Sequence, residues 1–148
     1  MLRPTIVFIL FDGEESPAGT PDEQFEAKGL RGSQIASRRY SNAEAMILVD
    51  LVGDRDLAIP REGYSDERLW ARLRVAARRS GASRAFPPRE QPSVLDDHVP
   101  FVRAGVPSID LIDFDFPCFH RSCDDLSAIS RESLDATGET IMELLLRL

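Results

Sequence analysis

Residues 11–15, Phe-Asp-Gly-Glu-Glu, place two neighbouring carboxylates at a predicted turn. They follow an apolar run at 5–10, which predicts a buried strand that ends at this turn. In an open α/β sheet, ligands bind beyond the carboxyl ends of the strands. There, one of Glu14 and Glu15 could bind a metal ion while the other moves protons, as metallohydrolases require. Taken alone, the motif more often marks an acidic turn that caps the next element.

Asp50 lies inside a second apolar run at 45–54, which also predicts a buried strand. An ionised carboxylate in such a run is costly unless it is paired or bound to a metal ion. The alternative is that Asp50 lies at the exposed end of the strand, where the penalty is small.

Two further segments carry groups that could titrate or bind a metal ion. Asp97 precedes His98, and this pair could instead be a helix N-cap followed by a surface imidazole. His120 follows a predicted strand, and a single histidine in a loop is more often a surface residue than a ligand. Cys118 and Cys123 flank His120 as a local disulfide or as two thiols. Their spacing lacks the two-residue gap that is usual in structural zinc sites.

Strands and helices alternate along the chain, which predicts an α/β fold with a parallel or mixed sheet covered on both faces. The predicted helices are a short one at 34–40 with Ser33 as N-cap, one at 65–80 capped by Ser65 and ended by Gly81, a short helix or turn at 99–104, and a long one at 130–148. The remaining elements are a loop at 16–28, an edge strand at 57–60 and a strand at 106–112. The buried side of the last helix is predicted to comprise Leu134, Ile141, Leu144, Leu145 and Leu148.

Size and charge restrict the classes of function. The 148 residues fit one domain, 1–148, and the net charge of −7 argues against nucleic acid as the main partner. No apolar run approaches the roughly 18 residues of a membrane span, so no membrane partner is expected. No signal peptide is visible before the first predicted strand.

Five motifs occur in order along nearly the whole chain. They are Asp-Gly-Glu-Glu at 12–15, Gly-Leu-Arg-Gly-Ser at 29–33, Ile-Leu-Val-Asp-Leu-Val-Gly at 47–53, Asp-Asp-His-Val-Pro-Phe-Val-Arg-Ala-Gly-Val-Pro at 96–107, and Phe-His-Arg-Ser-Cys-Asp-Asp at 119–125. This order resembles the co-catalytic zinc aminopeptidase family, which also contains the glutaminyl cyclases. The resemblance implies a partial phosphorylase/hydrolase-like three-layer sandwich with a mostly parallel mixed sheet that lacks the N-terminal strands.

The resemblance also implies a role for each matching residue. Glu14 corresponds to the general acid/base, and Glu15 corresponds to a zinc ligand. Asp50 corresponds to the ligand of the other metal ion in two-zinc peptidases, or to a hydrogen-bonding acid in one-zinc cyclases. His120 corresponds to the final zinc ligand. Asp97 corresponds to an acid in a hydrogen-bond network beside the substrate.

Several positions depart from the family pattern. Phe119 and Arg121 replace the tryptophan and threonine that usually flank the zinc histidine, and Asp110 stands where cyclases carry a histidine. The upstream His-x-Asp ligand pair of the family is absent from this sequence. Glu15 and His120 alone provide two ligands, whereas a catalytic zinc site has three from the protein. We therefore expect one or two Zn²⁺ ions in the complete domain, and weak or no binding by this chain alone.

The expected function is that of a zinc-dependent exopeptidase of the aminopeptidase type, incomplete as this chain, acting on peptide substrates. The alternatives are a glutaminyl-peptide cyclotransferase and a catalytically silent fragment or interaction module. The missing N-terminal portion, or a second copy of the chain, is expected to cover the exposed sheet. Relatives are often exported, but this chain leaves the compartment open.

Overall fold

A computed structural model describes residues 5–148. Its sheet consists of two parallel strands, β1 (Met46–Asp50) and β2 (Ser108–Ile112). Leu48 lies opposite Asp110 in the register of the pair. All five residues of β2 are buried, as expected for a parallel strand that is covered on both faces. The predicted α/β class with a parallel sheet is confirmed.

Helices cover both faces of this pair. They are α1 (Phe25–Lys28), α2 (Arg31–Arg39), α3 (Glu67–Arg79), α4 (Val99–Arg103) and α5 (Arg131–Leu145), with short 3₁₀ turns at Asp22–Gln24, Ser83–Ala85 and Leu126–Ala128. On one face, α3 and α5 pack together over Ile109 and Leu111. On the other face, α2 and α4 pack around Phe101 and Val106.

The apolar run at 5–10 is not a strand, and the prediction of a buried strand there is wrong. Its residues belong to no strand or helix, and all are exposed, with Phe8 at 90% and Leu10 at 99%. Within residues 5–148, β1 and β2 pair only with each other. An apolar pattern indicates that a segment favours a sheet. A strand also requires a neighbouring strand whose backbone pairs with its N–H and C=O groups.

The two long helices agree with the prediction, apart from their ends. The apolar stripe of α3 is buried, and Gly81 follows it with φ +81°. The N-cap of α3 is Asp66 and not Ser65, because the Asp66 carboxylate accepts the Leu69 N–H at 2.7 Å. Ser65 instead accepts the N–H of Asp110 at 2.9 Å, which ties the start of α3 to β2.

The N-cap of helix α5 is Ser130. The helix buries Leu144, as predicted, but Leu134 is 45% exposed. The predicted loop at 16–28 contains a 3₁₀ turn and α1. The predicted edge strand at 57–60 is not a strand and lies outside the sheet.

The start of α2 also differs from the prediction. Ser33 lies inside α2, where its hydroxyl donates to the Leu30 carbonyl at 3.0 Å, so it is not the N-cap. The helix begins after Leu30, whose φ of 52° is in the left-handed region.

Candidate active-site groove

The N-terminus of α2 holds the acidic turn in place. Three consecutive N–H groups, at residues 30–32, donate to the carbonyls of residues 14, 13 and 12 at 2.8, 3.0 and 3.0 Å. The first N–H groups of a helix have no partner within the helix, so they are free to bond this turn. The Arg31 side chain adds a bond to the carbonyl of Glu15 at 3.0 Å. The side chains of Glu14 and Glu15 therefore project from a backbone that the N-terminus of α2 holds in place.

This contact leaves no room for side chains at two glycines of the 29–33 motif. A Cβ atom on Gly32 would lie 2.5 Å from the Asp12 oxygen, and one on Gly29 would lie 2.7 Å from the Glu14 oxygen. The spacing of the two glycines follows from this close backbone approach.

A groove of about 1490 Å³ opens beside the turn, between residues 5–11 and β1. Its apolar walls include residues from both segments and Phe114 and Phe119. The five residues predicted as catalytic or metal-binding all line it, namely Glu14, Glu15, Asp50, Asp97 and His120. The structure thus places around one groove groups that are far apart in the sequence.

The pKa of the Glu14 carboxyl is raised into the neutral range. Burial, together with the nearby carboxylates of Glu15, Asp96, Asp97 and Asp50, raises the pKa of this half-buried carboxyl to about 7. A catalytic base is most effective when its pKa lies near the working pH.

Asp96 and Asp97 are both buried, with 7% and 5% of their surfaces exposed. Burial raises the pKa of Asp96 to about 6, although its carboxylate accepts the Asp97 N–H at 2.5 Å. Burial also raises the pKa of Asp97, against the lowering effect of the Ser33 hydroxyl. Asp96 was not predicted as a site residue, and its position beside Asp97 in the 96–107 motif was the available signal.

Asp50 is the last residue of β1 and is exposed at the mouth of the groove. Its position avoids the cost of a carboxylate within the sheet. The surrounding protein still removes water from this group, which raises the pKa of Asp50, while the hydrogen bond from the Leu51 N–H at 2.9 Å lowers it. Leu51 has φ 46°, a left-handed conformation that turns the chain away from the strand.

His120 is exposed on a loop at the edge of the groove. Cys118 and Cys123 form a disulfide across this loop, so neither sulfur is a thiolate that could bind zinc. The imidazole stacks on Phe119 with ring centroids 4.0 Å apart, and the backbone of His120 has φ 55°. A left-handed non-glycine residue costs about 1–3 kcal/mol and is enriched at functional sites.

The donors that line the groove do not form a metal site by themselves. Glu15 and His120 have the ligand chemistry that Zn²⁺ prefers. Among residues 5–148, however, no three His, Cys, Asp or Glu side chains converge on a position where they could bind one ion.

The fold and the groove define an α/β protein with an acidic site at the carboxyl end of a parallel strand. Residues 2–145 match the sequence pattern of Peptidase family M28, and the chain belongs to this family. In the part of the chain that the structure describes, no helix is long and apolar enough to cross a membrane.

Solved structures of two enzymes resemble this chain. A leucine aminopeptidase precursor from Bacteroides thetaiotaomicron is 29% identical, with a TM-score of 0.83 over 93% of this chain and 51% of that one. A glutaminyl cyclase from an Acidobacteriales bacterium is 30% identical, with a TM-score of 0.78 over 92% of this chain and 50% of that one.

Among curated proteins, the glutaminyl-peptide cyclotransferase of Drosophila melanogaster is 25% identical over 146 residues. The match includes 84% of this chain and 41% of that protein. The chain thus spans less than half the length of this curated relative and about half of the two solved structures.

Proposed function

We propose that this chain carries the substrate groove and general base of an aminopeptidase-type hydrolase, which releases N-terminal residues from peptides. The observation that supports this proposal best is the half-buried Glu14, whose pKa is about 7, at the acidic end of a partly apolar groove. Membership of Peptidase family M28 supports the same class of reaction, hydrolysis of peptides.

The groove suggests how such a substrate would bind. Its carboxylates would attract the α-ammonium group of a peptide, and its apolar walls would contact the side chain of the first residue. Asp97 is proposed to orient the substrate from the buried side of the groove. The backbone that carries Glu14 is fixed by the N-terminus of α2, which favours catalysis by positioning.

In the proposed hydrolysis, Glu14 accepts a proton from a water molecule whose oxygen attacks the carbonyl carbon of the first peptide bond. The same carboxyl then donates this proton to the nitrogen of the leaving amine as the C–N bond breaks. One water molecule is consumed, and Glu14 returns to its initial charge. A base with a pKa near 7 is suited to both transfers.

A second candidate is cyclisation of an N-terminal glutaminyl residue, because the curated relatives and several similar structures are glutaminyl cyclases. In this reaction the α-amino nitrogen attacks the side-chain amide carbon. Glu14 would carry the proton from that nitrogen to the departing ammonia, so the same base would perform both reactions.

Because the chain spans about half of these relatives, we propose that full activity requires the rest of the fold. A longer chain, a separate chain or a second copy could supply it, together with further metal ligands. We propose zinc as the metal ion, since carboxylate and imidazole donors line the groove.

The test is turnover of an aminoacyl p-nitroanilide and of an N-terminal glutaminyl peptide by the full chain with added Zn²⁺. Glu14→Gln keeps the size of the side chain but removes the base, and we expect a loss of at least about 100-fold. The exposed Glu23→Gln serves as the control and should leave the rate unchanged. Release of p-nitroaniline supports hydrolysis, and release of ammonia supports cyclisation. An equal rate in the Glu14→Gln variant would contradict both and support a catalytically silent chain.

A further inference from the structure

Three ionisable side chains that lie outside the groove lining meet in the interior. His98 Nε2 lies 3.0 Å from Glu62 Oε1, and its Nδ1 lies 3.6 Å from Asp110 Oδ2. All three side chains are fully buried. They come from the loop before α3, the residue before α4 and the middle of β2, so they join three separate parts of the fold.

The second oxygen of Glu62 accepts two backbone hydrogen bonds. Oε2 accepts the N–H of Tyr64 at 3.0 Å and the N–H of Val94 at 3.1 Å. Val94 and His98 bracket the segment that carries Asp96 and Asp97. A single carboxylate therefore contacts both ends of the segment 94–98.

The turn that carries Glu62 is itself tied to β2. The N–H of Ser65 donates to the Glu62 carbonyl at 3.1 Å, and the Ser65 hydroxyl accepts the N–H of Asp110 at 2.9 Å. The N–H of Asp66 donates to the Ser108 carbonyl at 2.8 Å. Glu62 thus contacts the segment 94–98 from a backbone that is fixed to the sheet.

The direction of the Glu62 pKa shift agrees with these contacts. Burial by itself would raise the pKa of Glu62, but His98 and the N–H groups of Tyr64 and Val94 bring it below its ordinary value. Replacing a buried ion pair by apolar residues is often neutral or stabilising. Stability alone therefore explains poorly why a carboxylate is buried at position 62. A role in fixing the geometry of the segment 94–98 explains it better.

We propose that Glu62 is a positioning residue of the candidate active site, which fixes the segment 94–98 and so directs the Asp96 and Asp97 carboxylates at the groove. The catalytic importance of this role rests on the proposed function. The anchoring itself is a property of the folded chain and can be measured without activity.

The test is amide hydrogen exchange of the full chain, followed by NMR, for Glu62→Gln and wild type. Glutamine keeps the size of the side chain but lacks the charge that faces His98. We expect exchange at Val94 and Asp97 to become at least tenfold faster, and the ¹⁵N shifts of the His98 imidazole to change. Exchange at Leu73 in α3 should stay within twofold of the wild-type rate. Glu90→Gln, which alters an exposed ion pair with Arg61, is the control and should leave all these values unchanged.

His98→Gln provides a second test should Glu62→Gln not fold. It removes one end of the anchor and leaves Glu62 Oε2 bonded to Val94, so only exchange at Asp97 should become faster. Unchanged exchange at Asp97, or an equal increase at Asp97 and Leu73, would overturn the proposal, because the latter indicates a general loss of stability. Turnover by Glu14→Gln tests the proposed function separately, so failure of one inference is distinguishable from failure of the other.

Discussion

Asp110 brings a carboxyl group into the middle of β2, where helices cover both faces of the strand. Within residues 5–148, neither of its oxygens has a hydrogen-bond partner. Burial raises the pKa of Asp110 well above its ordinary value, and the carboxylates of Asp96 and Glu62 act in the same direction. The group is therefore expected to keep its proton at pH values where an exposed aspartate is ionised.

This shift predicts how Asp110→Asn changes the pH dependence of stability. Below the ordinary pKa of 3.8, Asp110 is protonated in both the folded and the unfolded chain. As the pH rises, only the unfolded chain loses the proton, so the free energy of unfolding falls until the folded pKa is reached. The loss is about 1.4 kcal/mol for each unit between the two pKa values. Asparagine does not titrate, so in urea titrations the variant should gain stability relative to wild type as the pH rises above 3.8 towards the folded pKa.

The lowered pKa of Glu62 has the opposite sign, since its contribution is lost as the pH falls through the folded pKa. To first approximation it is common to both proteins and cancels in the difference. Asp135→Asn, at an exposed position on α5, is the control and should run parallel to wild type. A parallel curve for Asp110→Asn would show that Asp110 is ionised in the folded chain.

At the scale of elements, the contact between the end of α2 and the acidic turn has the largest consequence for the site. It replaces the strand that the apolar run at 5–10 was expected to provide as the support of the turn. Three helix N–H groups and the glycine spacing define this support, and residues 5–10 contribute no ladder bonds.

Two Gly→Ala variants are expected to have opposite effects, one at this contact and one at an open position in α5. On Gly32, the added methyl group would overlap the Asp12 carbonyl, so the variant should lose about 1–3 kcal/mol of stability. Gly138 lies inside α5 with open space around its Cβ position, so Gly138→Ala should gain up to about 1 kcal/mol from helix propensity. Thermal unfolding followed by circular dichroism measures both. A neutral or stabilising Gly32→Ala would contradict the close contact.

The elements that the sequence predicted well are those with a strong local signal. The helix α3 has an apolar stripe, an acidic first turn and Gly81 at its end, so its existence needed no tertiary information. The cap was assigned to Ser65 because the sequence cannot show that the Ser65 hydroxyl is engaged by Asp110. The prediction of a strand at 5–10 was wrong for a related reason, because a strand depends on neighbouring strands that a local sequence pattern does not reveal.

At the scale of the whole molecule, the five candidate site residues were predicted from ordered motifs, and all of them line one groove. The buried array of Glu62, His98 and Asp110 was missed. Glu62 lies in a polar stretch with no periodic pattern, and the three residues meet only in the folded chain. The order and spacing of motifs could therefore indicate the residues that line the groove, but not the buried residues behind them.

We propose that this groove holds part of the metal-binding set of an M28 domain, with too few donors for a tight site. Calorimetric titration of the full chain with Zn²⁺, beside Glu15→Ala and His120→Ala, tests this claim most directly. We expect weak binding that is no tighter in the wild type than in either variant, because the residues described here provide no three converging donors. A wild-type dissociation constant below about 1 μM that is lost in both variants would contradict the claim and show that the chain assembles a complete site.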